Sequence, residues 1–466
     1  MEKVMPSEVL SIYKHLKDAG FKVYFVGGCV RNFFMGKDIT DWDMTTDATP
    51  EQIQKVFPHA FYDNRFGTVG VPFGPKDEEM EDAEKKYAEV TTFRTDGKYS
   101  NSRHPETVSW GKTIEEDLSR RDFTMNAIAI SIKPTTVNRE LTNQLTDFVD
   151  SYNGREDIEK KVIRTVGIPD ERFSEDALRL LRAIRFAAQL GFEIEQETWK
   201  SILKNAKLIE NISGERIRDE LLKILETENA YEGIKLLDAV GMLDLIFPEL
   251  ASGKGVSQAR PGRHHTTDVF THNIESLRHC TSGDPIVRLA TLLHDVGKPN
   301  VRGEDEDGHV IFYNHEVAGA KIAAEICDRL RLSRKQKEKV VTLIRWHMFT
   351  VDENITDAAI RRFIRRVGLE NVADMMDLRI GDRLGGGTQV AESWRLKKFK
   401  ERVAAELNPP FSINDLAIDG NDIMRELNIK PGPKIGEILN KLFLEVDENL
   451  ELNNREYLLK RVKELK

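Results

Sequence analysis

Hydrophobic positions change their period near residue 150, and that change separates two kinds of structure. Over Ser7 to Ala19, the residues Val9, Ile12 and Leu16 recur at helical spacing and the pattern stops at Gly20. FKVYFV then alternates as a strand and runs into Gly27 and Gly28. A helix therefore feeds a strand that delivers a glycine turn. RFGTVGVPF, YAEVTTFR and NAIAISI are further strand-like segments with helical pieces between them, which predicts a mixed α/β module over residues 1–150. From about residue 155, EDALRLLRAIRFAAQL, IRDELLKIL and YEGIKLLDAVGMLDLI carry apolar residues at helical spacing and hardly any strand signal, so the remainder is expected to be helical. Gly- and Ser-rich ASGKGVSQARPGRHH (251–265) and the paired prolines of ELNPPFS (406–412) punctuate it. The expected division is 1–150, 151–252, 260–405 and 411–466, with no internal repeat and no low-complexity tract.

Composition narrows the setting. A chain of 466 residues exceeds one ordinary core, in line with several modules. Cys29, Cys280 and Cys327 are widely spaced and form no CxxC pair, which argues against a disulfide framework and a structural zinc site and for a reducing cytoplasm. The start, MEKVMPSEVL, has no apolar signal core and no run approaches a membrane span, so no membrane partner is expected. A net charge of −9 would disfavour nucleic acid if spread evenly, but the sign is uneven. KDEEMEDAEKK (76–86) is an acidic insertion without an assigned role. Arg172, Arg179, Arg182 and Arg185 cluster, as do Arg361, Arg362, Arg365 and Arg366, and later Lys397, Lys398 and Lys400. Each cluster reads equally as a solvated helix face or as an RNA contact.

The chemistry concentrates in GGCVRNFFMGKDITDWD (27–43). In an extended strand Asp41 and Asp43 point to one face and Trp42 to the other. Two carboxylates so placed suit a pair of Mg²⁺ ions, which would activate an attacking hydroxyl, orient a triphosphate and stabilise a leaving pyrophosphate. Gly27 and Gly28 leave their N–H groups open to a phosphate, and Arg31 sits where it could meet the same anion. Downstream, RRDFTMNAIA (120–129) gathers Arg120, Arg121, Asp122 and Asn126. RFSEDALRLLRAIRFAAQLGF (172–192) is expected to open a helix in which Asp176 and Arg179 share a face, either as a surface ion pair or as a base reader. A carboxylate accepts from the exocyclic amine of cytosine or adenine and a guanidinium donates to their ring acceptors, whereas uracil and guanine present the opposite pattern. An Asp/Arg pair could therefore select C and A without a nucleic-acid template.

GGCVRN…DWD, RRDFTMNAIA and RFSEDALRLLRAIRFA together resemble the class II tRNA nucleotidyltransferases, the CCA-adding enzymes, and their bacterial poly(A) polymerase relatives. That resemblance implies a polymerase β-like mixed-sheet nucleotidyltransferase head, an all-α neck and body, and a short helical tail that binds tRNA. By it, Asp41 and Asp43 would be the catalytic metal carboxylates, with Glu89 in AEVTTFR as a third. Arg120, Arg121, Asp122 and Asn126 would contact ribose and triphosphate. Glu175, Asp176 and Arg179, with Arg182 alongside, would bind the incoming base, supported by Arg216 and Glu220. FGTVGV (66–71) and FRTDGKYSNSRHP (93–105) resemble the GT strand and the flexible CTP-to-ATP switching loop of the CCA branch. The expected reaction adds C, C and A to a tRNA 3′ end from CTP and ATP; the alternatives are a poly(A) polymerase or A-adding enzyme and, outside enzymes, an inactive RNA-binding protein.

A second set follows: His272 in VFTHNIESL, His294 and Asp295 in LATLLHDVGK, then His315, His347, and Asp382 in RIGDRLG. In this order they resemble the HD phosphohydrolases. The resemblance implies one divalent ion on His272, His294, Asp295 and Asp382 and a second served by His315 and His347. Mixed imidazole and carboxylate donors suit a divalent transition metal or Mg²⁺ better than a closed structural zinc. Such a domain would trim damaged or cyclic-phosphate tRNA ends; the alternative is a vestigial domain retained as an RNA-binding platform, with its histidines buried and idle. In the tail, KPGPKIG (430–436) joins a proline-glycine turn to a helix start, where Lys434 could hold a backbone phosphate or the turn could simply join packed helices.

Overall fold

A computed structural model describes residues 5–63, 67–73, 86–96, 99–100, 104–105, 108–132, 146–259, 267–352, 354–388, 390–406 and 412–465. Most of the acidic insertion, the end of the Gly/Ser-rich linker, residues 407–411 and parts of the 93–105 loop lie outside these residues. The chain forms two compact units, Met1–Ile246 and Phe247–Lys466.

The first unit opens with the expected helix Ser7–Asp18, which buries Val9, Ile12, Tyr13 and Leu16. Strands β1 (Val23–Val26), β2 (Asp43–Thr46), β3 (Phe61–Asp63), β4 (Thr68–Phe73), β5 (Lys86–Thr92), β6 (Ala129–Ile132) and β7 (Thr146–Val149) make a seven-stranded sheet in the order β7-β6-β1-β2-β5-β4-β3. β2 and β5 run parallel while the other neighbours are antiparallel, so the sheet is mixed as expected. The parallel register sets Asp43 opposite Glu89. Helices Pro169–Glu175, Leu178–Leu190, Gly214–Glu226, Ala230–Ala239 and Met242–Ile246 follow. The segment expected to be one helix over 172–192 is two, because the first ends at Glu175 and Asp176 is extended (φ −141°, ψ 103°). One small departure from all-helical structure is the parallel pairing of Val162–Ile163 with Glu193–Ile194.

In the second unit, helices Val269–Arg278, Pro285–Leu293, His315–Arg329, Arg334–Trp346 and Val372–Gly385 pack on one another, with a short hairpin of Gly303–Glu304 and Val310–Ile311. The last helices, Gly420–Leu427, Pro433–Glu448 and Arg455–Glu464, share a core of Ile423, Ile438, Leu442, Val446, Leu458 and Val462. The arginine cluster of helix Asp357–Val367 is mostly spent inside this unit. Arg361 donates to Asp447 at 3.0 Å and Arg365 at 2.6 Å, Arg362 pairs with Glu448, and Arg366 lies over Trp346. Neither a solvated face nor an RNA contact describes Arg361, which is buried against the wholly buried Asp447. Replacing Asp447 with Ala strands two guanidiniums and is expected to cost about 3 kcal/mol, the low end for breaking a buried pair. Urea unfolding at a correspondingly lower concentration would register it, and an unchanged midpoint would contradict the anchoring role.

Candidate functional sites

In the head, β1 is followed directly by Gly27, whose φ of 72° an L side chain would adopt only under strain. A Cβ there would come 3.3 Å from both the Asp43 carboxylate and the Arg121 guanidinium. Gly27, Asp43 and Arg121 are thus mutual neighbours at the mouth of the helix Gly28–Phe34. The hydrogen-bonded strand begins only at Asp43, so Asp41 precedes β2, yet the alternation holds: Trp42 is buried and Asp41 exposed. Burial, and after it the negative charge of Glu89, push the Asp43 carboxyl up to about 6, with Asp41 adding to the rise and Arg121 opposing it. Burial and Asp41 raise Glu89 as well. Three carboxylates with this mutual repulsion favour a cation among them.

The remaining head candidates fall into a buried network. Asp117, fully buried, receives Nε and Nη2 of Arg120 on one oxygen and Nη2 of Arg121 on the other. Arg31 donates to Asn126 at 3.0 Å and lies over the Phe186 ring. Asn126 donates in turn to Asp122, which takes Arg182 Nε at 2.7 Å. Burial alone would lift Asp122, but Arg182 outweighs it and holds the carboxyl at about 2. Arg185 Nε meets Glu220 at 2.8 Å and stacks on Phe186 at 4.2 Å.

The expected Asp176/Arg179 pairing on one helix face is corrected by the helix break between them. Asp176 Oδ2 accepts from Arg216 at 2.8 Å, whereas Arg179 donates to Glu175 at 2.6 Å and to the carbonyls of Arg172 and Arg120. Glu175, Asp176 and Arg179 stay close along the chain, Glu175 and Arg179 oriented by each other and Asp176 by Arg216. Arg216 and Glu220 do stand beside these helices. Asp117 was not singled out from sequence, although its position three and four residues before two arginines is a helical pairing signal.

In the second unit all six expected residues converge. His272, His294 and Asp382 form one group of ligand atoms within 4.8 Å of one another, and Asp295, His315 and His347 form another. Asp295 joins them: its Oδ2 lies 3.3 Å from His272 Nε2 and 3.4 Å from His294 Nε2, and its Oδ1 lies 3.3 Å from His315 Nε2. His294, His315 and His347 each set Nδ1 against a carbonyl, of Thr291, Phe312 and Ile344, which leaves the Nε2 atoms facing the centre. A close helix crossing makes this possible, since a Cβ on Gly385 would fall 2.4 Å from Ser276 Oγ on the helix that carries His272. Burial disfavours a charged His294, yet Asp295 and Asp382 push it up to about 10, while burial lowers His347. Lys298, missed from sequence, reaches Asp295 Oδ2 at 2.5 Å and Gln258 at 2.5 Å. Its place one helical turn after Asp295 in HDVGK was the available signal.

Among the described residues, no helix is long and apolar enough to cross a membrane. The family model of the poly(A) polymerase head domain matches residues 23–164, that of the probable RNA- and SrmB-binding site of polymerase A matches 191–254, and the HD domain matches 283–382. The CCA-adding enzyme of Geobacillus kaustophilus is 41% identical over 246 residues, 53% of this chain and 55% of that one, so the chain spans about half the length of this relative. The A-adding tRNA nucleotidyltransferase of Deinococcus radiodurans is 33% identical over 430 residues, 90% of this chain and 89% of that one. Among solved structures, the Bacillus stearothermophilus CCA-adding enzyme in complex with CTP superposes with a TM-score of 0.70 at 27% identity, over 99% of this chain and 98% of that one. Similar along nearly its whole length to such enzymes and carrying the polymerase head match, the chain belongs to the tRNA nucleotidyltransferase and poly(A) polymerase family and includes an HD domain.

Proposed function

We propose that this protein is a CCA-adding tRNA nucleotidyltransferase that extends a tRNA 3′ end from CTP and ATP. The observation that carries the reading is the set of three carboxylates, Asp41, Asp43 and Glu89, whose repulsion and burial push Asp43 up to about 6 beside the Gly27 turn and Arg121. Hard oxygen donors of this kind fit Mg²⁺. When bound, that ion supplies charge stabilisation at the reacting phosphate and the leaving pyrophosphate. Arg120 and Arg121, aligned on Asp117, offer donors toward the triphosphate. Asp122 and Asn126 would meet the ribose side of the nucleotide.

Base choice falls to Glu175, Asp176 and Arg179. Because each already has a partner that orients it, an incoming C or A would exchange protein hydrogen bonds for equivalent ones, and U or G would leave buried groups unpaired. Arg179→Ala is therefore expected to raise UTP and GTP incorporation relative to CTP by roughly 10–100-fold, the effect of about 1–3 kcal/mol. Unchanged selectivity in competition assays would remove the template role.

The competing reading, an A-adding enzyme, draws on the Deinococcus radiodurans relative, which is similar over 90% of the chain. Incubation with tRNA ending before CCA and with tRNA ending in CC, with CTP and ATP supplied singly and together, separates them. CTP alone extends the end only if the first reading holds; extension by ATP alone, and only on tRNA already ending in CC, supports the second.

For the second unit the reading is a metal-dependent phosphohydrolase acting on tRNA ends. Support comes from the six converging donors with three tautomers pinned by carbonyls. Mixed imidazole and carboxylate donors fit a divalent transition ion, which when bound supplies an activated water for phosphoester hydrolysis. The four-part division at 1–150, 151–252, 260–405 and 411–466 and tRNA backbone binding by the tail, including Lys434, belong to the same proposal. The free buried thiols of Cys29, Cys280 and Cys327 support a reducing compartment, the cytoplasm.

A further inference from the structure

Asp43 does not stand alone on its face of the head sheet. Residues paired across neighbouring strands share a face, and the registers run from Asp43 to Glu89, from Glu89 to Gly70 and from Gly70 to Phe61. These four positions form one row from β2 through β5 and β4 to the edge strand β3. Its far end is aromatic. Gly70 has no side chain, and a Cβ there would fall 2.1 Å from Phe61 Cζ, so the ring of Phe61 lies over the backbone of β4 next to Glu89. Tyr87, two residues before Glu89 in β5 and so on the same face, meets that ring edge-on, with centroids 5.3 Å apart and planes at 77°. Both rings stay open. Phe61 is 53% and Tyr87 48% exposed, whereas the alternate β5 residues Ala88 and Val90 are fully buried.

The opposite side of the carboxylates is already taken. Gly27 and Arg121 crowd Asp43; they lie just after β1 and ahead of β6, strands on the far side of β2 from β5. That is where the triphosphate is held in the nucleotidyl-transfer reading. Attacking and leaving oxygens stand roughly in line in phosphoryl transfer, so a hydroxyl that displaces pyrophosphate there must arrive over β5, β4 and β3. Gly70 is two strand spacings, about 10 Å, from Asp43, within reach of one nucleotide whose 3′ hydroxyl is at the carboxylates. Single-stranded RNA ends bind by stacking their bases on aromatic faces.

We propose that Phe61, steadied by Tyr87, is the platform on which the terminal base of the RNA being extended stacks, and that this stacking places the 3′ hydroxyl at the carboxylates. It rests on the nucleotidyl-transfer reading of the head.

Steady-state extension by the full chain with ATP and Mg²⁺ tests it, on tRNA ending in CC and on the same tRNA with an abasic ribose as its last nucleotide. Phe61→Ala is expected to raise KM for the intact tRNA by about tenfold, in the range of base–aromatic stacking, while KM for ATP stays as it was. Phe61→Tyr should behave as wild type. Phe61→Leu, which keeps apolar bulk over Gly70 without a π-face, should behave as the Ala variant. Removing the base should cost the wild type about the same tenfold and the Ala variant nothing further. Equal changes on both tRNAs, no change on either, or a Leu variant that matches wild type would overturn the platform while leaving nucleotidyl transfer intact. A wild-type chain that extends neither tRNA would instead overturn the nucleotidyl-transfer reading, and the platform with it.

Discussion

Replacing Asp43 with Asn is expected to lower nucleotide incorporation by about three orders of magnitude, the several kcal/mol that carboxylate-held cations supply to phosphoryl transfer. The fold should not suffer. Asp43 is lifted to about 6 by burial and by Glu89, so in the metal-free protein its charge opposes folding. A raised carboxyl pKa means that the folded state holds its proton longer than the unfolded chain, so this group lowers stability as pH rises from about 4 to about 6. Asp43→Asn should therefore melt, in EDTA, at the same temperature as wild type or higher. Asp41→Ala should lose incorporation similarly. Loss of activity accompanied by loss of folding would make Asp43 a structural residue. The same shift sets a pH dependence: Mg²⁺ must displace a proton from Asp43 below about pH 6, so its apparent affinity should climb with pH up to that value and level off above it. Calorimetry in buffers of different ionisation enthalpy would register the released proton.

The second large effect is at Asp295, whose two oxygens each face a different group of histidines. Asp295→Ala should empty both halves of the HD site, with metal content falling to background and phosphoester hydrolysis lost. It also leaves Lys298 buried without its carboxylate, a cost of about 3–5 kcal/mol for a broken buried pair. Asp382→Ala is the informative contrast, since it borders only the His272 and His294 half and should retain ion bound by Asp295, His315 and His347. Metal analysis of the two variants after dialysis distinguishes a bridged pair from a single centre, because a single centre would lose its ion in both.

Local patterns carried much of this into the sequence. Strand alternation located β1, β4, β5 and β6, and a spacing of two residues located Asp41 and Asp43. The six HD donors were legible through their order along the chain, which resembles that of the HD phosphohydrolases. What escaped were pairings set by distant residues. Nothing within helix Asp357–Val367 reveals that Arg361 and Arg365 close on Asp447, some 80 residues onward. The break at Asp176 escaped because the apolar period runs on across it, while the extended backbone there leaves its carboxylate to Arg216, on another helix. Strand β3, Phe61–Asp63, is a short edge with an exposed Phe61 and too few residues to display alternation. Glu89 was accessible only through the resemblance until the parallel register with Asp43 placed it opposite.

The most direct measurement is the structure of crystals grown with CTP and Mg²⁺. Oxygens of both Asp41 and Asp43 should lie about 2.0–2.1 Å from Mg²⁺, with the triphosphate on the same ions and cytosine beside Asp176 and Arg179. Bound CTP with its Mg²⁺ away from both aspartates would contradict metal-dependent nucleotidyl transfer at this site.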